Sequence, residues 1–139
     1  MDDYGHHPTE LAATITAARN AFPGRRLVAV FQPHLYSRTR DFAEEFASAL
    51  SKADITVLTP IYPARETPVP GVTSGLIARY LRLLQKEDRV LEMGKEEVPG
   101  RLAARTRPGD VILVMGAGDI GEVARELFHR LGGMSKGKQ

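Results

Sequence analysis

Residues 27–40 read LVAVFQPHLYSRTR, and this stretch decides the fold because its character changes halfway along. Leu27–Phe31 is a short unbroken apolar run, which predicts a strand buried on both faces. Gln32-Pro33-His34 turns the chain, and His34, Tyr36, Ser37, Arg38 and Arg40 form a polar tip at the start of a helix. A strand that ends in a basic, hydroxyl-bearing turn at a helix N-terminus is a common way to build an anion site. Guanidinium groups offer planar, paired donors to a carboxylate or phosphate. Arg38 and Arg40 also oppose the positive end of the helix dipole, so they predict an anion close by to compensate them.

Working outward, the chain alternates. Pro8 suits the first position of a helix, with His7 before it as the cap and Glu10 in the first turn. Leu11, Ile15, Ala18 and Phe22 recur at helical spacing, and Pro23-Gly24 stops that helix. After the Leu27–Phe31 strand, Asp41, Phe42, Phe46, Ala49 and Leu50 give an amphipathic helix. Ile55–Leu58 reads as the second strand. Thr59–Val72 holds Pro60, Pro63, Pro68, Pro70 and Gly71, which forbid regular structure and predict a stiff loop. Loops of that length in a compact domain are usually functional or disordered. Thr73 or Ser74 caps a helix carrying Leu76, Ile77, Tyr80, Leu81 and Leu84. Arg89–Leu91 is a short third strand, Val98–Arg105 a helical segment, and Pro108-Gly109-Asp110 a turn into the fourth strand, Val111–Met115. Gly116–Gly121 opens the last helix, Glu122–Leu131, which Gly132-Gly133 ends, and Met134–Gln139 reads as a disordered tail.

One helix followed by strand–helix four times predicts an α/β domain, with a Rossmann-like, mostly parallel sheet and helices on both faces. Ligands of such sheets bind beyond the carboxyl ends of the strands, where the strand order switches direction. The loops 32–40, 59–72 and 116–121 should meet there.

A chain of 139 residues with 42% hydrophobic and 26% charged residues fits one globular domain. The formal net charge of +2 is too small to point to nucleic acid. No apolar run approaches the length of a membrane span, and the acidic, polar start is unlike a signal peptide. With no cysteine, disulfide and thiolate chemistry are excluded, which fits a cytoplasmic protein. Met1 followed at once by Asp2-Asp3-Tyr4 reads as the start of a piece of a longer protein.

Gly116-Ala117-Gly118-Asp119-Ile120-Gly121 matches the dinucleotide-binding spacing, but that site needs a further strand and an acidic residue about 20 positions on. The match lies on the last strand, with 18 residues to follow, so a complete nicotinamide site is rejected. Either a ligand approaches the backbone at this turn, or the glycines let helix pack on strand. His6 and His7 are adjacent, so in an extended segment their side chains face opposite ways and cannot easily share one metal ion. His34 and His129 are the only other imidazoles, and a metal cage is not expected. Asp2-Asp3 could hold a ribose and Glu66 an ammonium group, but plain surface charge is the simpler reading of both. There is no P-loop, no Ser-His-Asp set and no pair of carboxylates on one element. Read for chemistry alone, the chain is an anion-binding α/β domain without catalytic machinery.

Four stretches carry a resemblance to a known family. DDYGHHPTE at 2–10, FQPHLYSRTR at 31–40, YPARE at 62–66 and GAGDI at 116–120 together resemble the C-terminal domain of the Mur ligases, in order and over nearly the whole chain. Within that family the resemblance is to the members that add L-alanine to UDP-N-acetylmuramate. It implies that residues 1–133 are the third domain of an ATP-dependent ligase of peptidoglycan synthesis. The UDP-sugar domain and the central domain, which binds most of ATP and Mg2+, would then lie outside this chain. It further implies Asp3 near the ribose of ATP, and Tyr4 and His6 facing the amino acid and an acyl phosphate. His34, Ser37, Arg38 and Arg40 would engage the carboxylate of L-alanine or the phosphate side of the substrate. The implied route is phosphorylation of the muramoyl carboxylate by ATP, then attack by the alanine amine, and it needs positioning and charge stabilisation more than a protein nucleophile. No catalytic residue is expected in this chain, which alone should be inactive. Two alternatives are a muropeptide-recycling ligase, which joins an intact peptide to the same sugar, and a freestanding anion-binding module.

Overall fold

Strand β1 (Leu27–Gln32) lies inside a four-stranded sheet with β2 (Ile55–Leu58) on one side and β4 (Val111–Gly116) on the other; β3 (Val90–Glu92) flanks β2. All of these pairings are parallel. The computed structural model describes residues 7–116 and 120–131. The expected segment at Asp2–His6, the middle of the glycine turn, Gly132-Gly133 and the tail lie outside them.

The side-chain period of a strand explains why β1 had to be wholly apolar. Leu27, Ala29 and Phe31 face one core with Leu58 and Val90. That core is closed by α1 (Pro8–Ala21), α2 (Tyr36–Leu50) and α3 (Gly75–Leu84), through residues such as Ile15, Phe46, Leu50, Ile77 and Leu81. The Phe31 and Phe46 rings meet at 5.3 Å. Val28, Val30 and Val57 face the other core, closed by α4 (Val98–Arg105) and α5 (Ile120–Arg130) through Leu102, Val123 and Leu127. Helices therefore cover both faces of a parallel sheet, as the alternation of elements requires. Among the described residues, no helix is long and apolar enough to cross a membrane.

The strand order places the switch between β1 and β4, and Gln32 pairs with Gly116 at the carboxyl end of that seam. β1 and β4 each run one residue beyond the expected end, and β3 is shifted by one residue. Helix α2 starts at Tyr36, so Ser37, Arg38 and Arg40 lie in its first turns, and it is kinked at Phe42 (φ −123°, ψ 21°). His7 stands at the N-cap of α1, its carbonyl accepting the Leu11 N–H at 3.1 Å, but its side chain makes no cap bond; its ring lies 5.2 Å from that of Phe42. Thr73, rather than Ser74, serves the start of α3, its hydroxyl accepting the Gly75 N–H at 3.0 Å. Short 3-10 turns at Glu87–Arg89 and Lys95–Glu97 carry no apolar period and had no signal in the sequence.

The amino edge of the sheet is pinned by charge. Arg26 donates to the Asp110 carboxylate from Nε (3.2 Å) and Nη2 (2.7 Å), and Nη2 also reaches the Arg105 carbonyl at 3.1 Å. The Arg107 N–H donates to Asp110 Oδ2 at 2.9 Å. Asp54 accepts the Leu27 N–H at 2.7 Å and pairs with Arg19 at 3.1 Å. Burial pushes both carboxyls up, but the guanidinium and N–H donors outweigh it and hold Asp110 and Asp54 below the usual aspartate range. A depressed native pKa contributes stability that is fully present above the unfolded value, about 3.9, and is lost as pH falls through the native value. The melting temperature should therefore fall on acidification below about pH 4. Asp110→Asn should be less stable at neutral pH, by about 1.5–3 kcal/mol for the lost charge in the fork, and its melting temperature should respond less to acid. Calorimetry across pH checks this; superimposable curves for the two proteins would remove Asp110 from the account.

Candidate functional site

At the carboxyl edge, the turn after β1 and the proline-rich loop 59–72 are bound to each other. Tyr62 donates its N–H to the Pro33 carbonyl at 2.8 Å, and Leu35 donates to the Tyr62 carbonyl at 2.9 Å. This makes a parallel bridge between His34 and Tyr62, whose rings stack 5.9 Å apart at 18°. Both loops hold a non-glycine residue in the left-handed region, Leu35 (φ 74°) and Ala64 (φ 54°). Such backbone persists only where surrounding contacts fix it, and it is concentrated at functional sites.

Glu66 decides the electrostatics. Its Oε1 accepts the Ser37 N–H at 3.0 Å, and its Oε2 accepts a short hydrogen bond from the Ser37 hydroxyl. The sequence favoured plain surface charge for Glu66; instead it serves the open first turn of α2, where no other side chain caps the helix. These Ser37 bonds are the main reason that the Glu66 carboxyl sits below its ordinary range. For Arg40, which lies in the field of Glu66 and pairs with Asp41, the expected anion is therefore supplied by the chain itself. Sequence could not pair residues 29 positions apart.

The basic residues divide. Arg40 is exposed and its Nε donates to Asp41 at 2.9 Å, which is the first cause of its raised pKa. Arg38 is half-buried, and its side chain makes no hydrogen bond or ion pair among the described residues. Burial first, and then Arg38, push the His34 imidazole down against the opposing pull of Glu66, so His34 is neutral at neutral pH. His34 thus lies in the fields of an arginine and a glutamate of opposite sign.

Below the tip, Gln32 ends β1 and Thr59 follows β2, both with buried polar side chains, and Gln32 Oε1 and Thr59 Oγ1 have no hydrogen-bond partner among the described residues. Neither was a candidate; a polar residue closing an apolar strand was the signal available. Gly116 has φ 143°, and a Cβ there would lie 2.8 Å from the Gln32 carbonyl oxygen, so it serves the close approach of β4 to β1. Among the described residues, a Cβ on Gly121 would meet nothing within 4 Å, unlike the tightly packed third glycine of a dinucleotide turn. The His7 ring lies against Phe42, the residue at the kink of α2. Asp3, Tyr4 and His6 lie outside the described residues. Among the described residues no group of three or more His, Asp or Glu side chains could hold a metal ion.

Comparison with known proteins agrees with this arrangement. The family described as Mur ligase, glutamate ligase domain matches residues 1–118. The UDP-N-acetylmuramate--L-alanine ligase of Nitrosomonas europaea is 51% identical over 127 residues, covering 91% of this chain and 27% of that protein. The crystal structure of UDP-N-acetylmuramate-alanine ligase from Thermotoga maritima superposes with a TM-score of 0.67 at 28% identity, covering 94% of this chain and 26% of that one. A murein peptide ligase from Psychrobacter arcticus shares the fold, with a TM-score of 0.71 at 19% identity over 98% of this chain and 28% of its own. The chain spans just over a quarter of the length of the curated relatives it matches. With a match running from the N-terminal motif through β4, the chain belongs to the Mur ligases, as their glutamate ligase domain.

Proposed function

We propose that this chain is the C-terminal domain of an ATP-dependent, cytoplasmic ligase that joins L-alanine to UDP-N-acetylmuramate in peptidoglycan synthesis. Its part is to seat the amino acid and to close over the nucleotide, while two further domains hold the UDP-sugar and most of ATP. The observation that carries this reading is Arg38, a half-buried guanidinium without a side-chain partner among the described residues, at the carboxyl edge of the sheet. A zwitterionic amino acid suits that place. Its carboxylate matches the Arg38 fork, and its amine is drawn toward Glu66, whose oxygens keep acceptor capacity after the two Ser37 bonds.

By the same resemblance, Tyr4 and His6 face the amino acid and the activated carboxyl group, and Asp3 the ribose of ATP. His34, Ser37 and Arg40 frame the seat. Magnesium has no suitable donor set among the described residues and is assigned to the central domain. ATP supplies the activation of the muramoyl carboxyl group; the residues here orient the incoming amine and balance charge as the site closes.

The test is phosphate release by the intact protein with UDP-N-acetylmuramate and ATP, comparing L-alanine with a free tripeptide that carries L-alanine at its amino end. L-alanine is expected to drive turnover and the tripeptide not. Preference for the tripeptide would move the protein to the recycling ligases. The 139-residue chain alone is expected to show no turnover, and measurable ATP hydrolysis by it would overturn the division of labour.

A further inference from the structure

At the amino edge of the sheet, opposite the seat, a cavity of about 470 Å³ is lined by Arg26, Asp54, Asp88, Arg89, Arg105 and Arg107, with Ile55 adding apolar surface. Every one of these segments leads into a strand: Arg26 precedes β1, Asp54 precedes β2, Asp88-Arg89 precedes β3, and residues 105–107 lead to β4. Four arginines face two aspartates.

Part of this charge is structural. Arg26 is committed to Asp110 and to the Arg105 carbonyl, and Asp54 to the Leu27 N–H and Arg19. What remains is Arg89, Arg105 and Arg107 against Asp88. None of these three guanidinium groups makes a hydrogen bond or ion pair among the described residues. Arg105 has a reason to be there, because it ends α4 and a cation suits a helix C-terminus. The others answer carboxylates only at a distance: Arg89 lies in the field of Asp54 and Arg107 in that of Asp110, but both of those carboxylates already hold a closer arginine, Arg19 and Arg26. The wall behind them is rigid, since the Asp110 carboxylate is 7% exposed and fixes both the Arg26 fork and the Arg107 backbone. Three exposed arginines lining one cavity beside a braced wall, around a space large enough for more than one phosphoryl group, offer paired donors to a polyanion.

We propose that this cavity is a second anion site, separate from the amino-acid seat, which takes a compact phosphoryl anion carrying two or more negative charges. A lone carboxylate would leave much of the positive charge unanswered, whereas adjoining phosphoryl groups present several oxygens to paired N–H donors. The simplest probe is inorganic pyrophosphate, titrated into the 139-residue chain by calorimetry at an ionic strength of about 0.15 M, so that diffuse attraction is screened.

One saturable site is expected, weakened at least about tenfold in Arg89→Gln/Arg107→Gln and unchanged in Arg38→Gln. Both replaced arginines are exposed and make no side-chain bond, so the double variant should keep the melting temperature of the parent. Should it melt early, the single Arg107→Gln change gives the same comparison. The absence of a saturable site overturns the proposal, as does equal affinity in the variant. So does loss of binding in Arg38→Gln, which would place the anion at the carboxyl edge.

Discussion

Arg38→Ala is expected to lower the L-alanine-dependent kcat/KM of the intact ligase by more than tenfold. The expectation rests on how charge is distributed at the tip of the β1–α2 turn. Glu66 is taken up by Ser37, Arg40 by Asp41, and His34 is kept neutral by burial and by Arg38 itself. Arg38 is the side chain left to meet an incoming carboxylate, and a hydrogen bond to a charged group is worth about 1.5–3 kcal/mol, or roughly ten- to a hundredfold. Arg38→Lys should recover only part of the loss, because an ammonium cannot reproduce a two-pronged contact. Arg40→Ala should cost less, its guanidinium being exposed and already paired. Steady-state kinetics with L-alanine as the varied substrate, on variants whose circular dichroism matches the parent, decides the matter. A rate indistinguishable from the parent would return Arg38 to the ordinary surface.

The largest stability effect is expected at Gly116. A methyl group there would lie 2.8 Å from the Gln32 carbonyl oxygen and 3.0 Å from its Cβ, on backbone at φ 143° that L side chains rarely adopt. Clash and strain act together, and about 3 kcal/mol of destabilisation is expected for Gly116→Ala. Gly121→Ala is the internal control. It lies in the first turn of α5 with nothing among the described residues within 4 Å of the added carbon, so it should be neutral or gain about 0.5 kcal/mol. Urea unfolding of the two variants tests the pair. Equal effects would mean that the β1–β4 seam is looser than its hydrogen-bonded register requires.

The layout of the fold was legible because strand burial writes itself into local sequence. Leu27–Phe31 and Val111–Met115 are apolar on successive residues, and each faces two helix layers. Pro8, Pro23-Gly24 and Pro108-Gly109 marked element boundaries for reasons of backbone geometry alone. What stayed hidden was set by contacts between distant segments. The sequence did not show that Tyr62 would pair beside His34, that Glu66 would serve α2, or that the His7 ring would lie against Phe42. Nor did it mark Gln32 and Thr59, whose interest comes from being buried at strand ends. The paired arginines were read as calling for an anion, and for Arg40 that partner is Asp41 of the chain itself.

The loop from Thr59 to Val72 has a kinetic consequence. Its four prolines leave the unfolded segment few conformations to lose, and Tyr62 and Glu66 already clasp it to α2. Capture of an amino acid should then need no slow ordering step on this side of the cleft. Its association rate should follow diffusion and fall as salt is added.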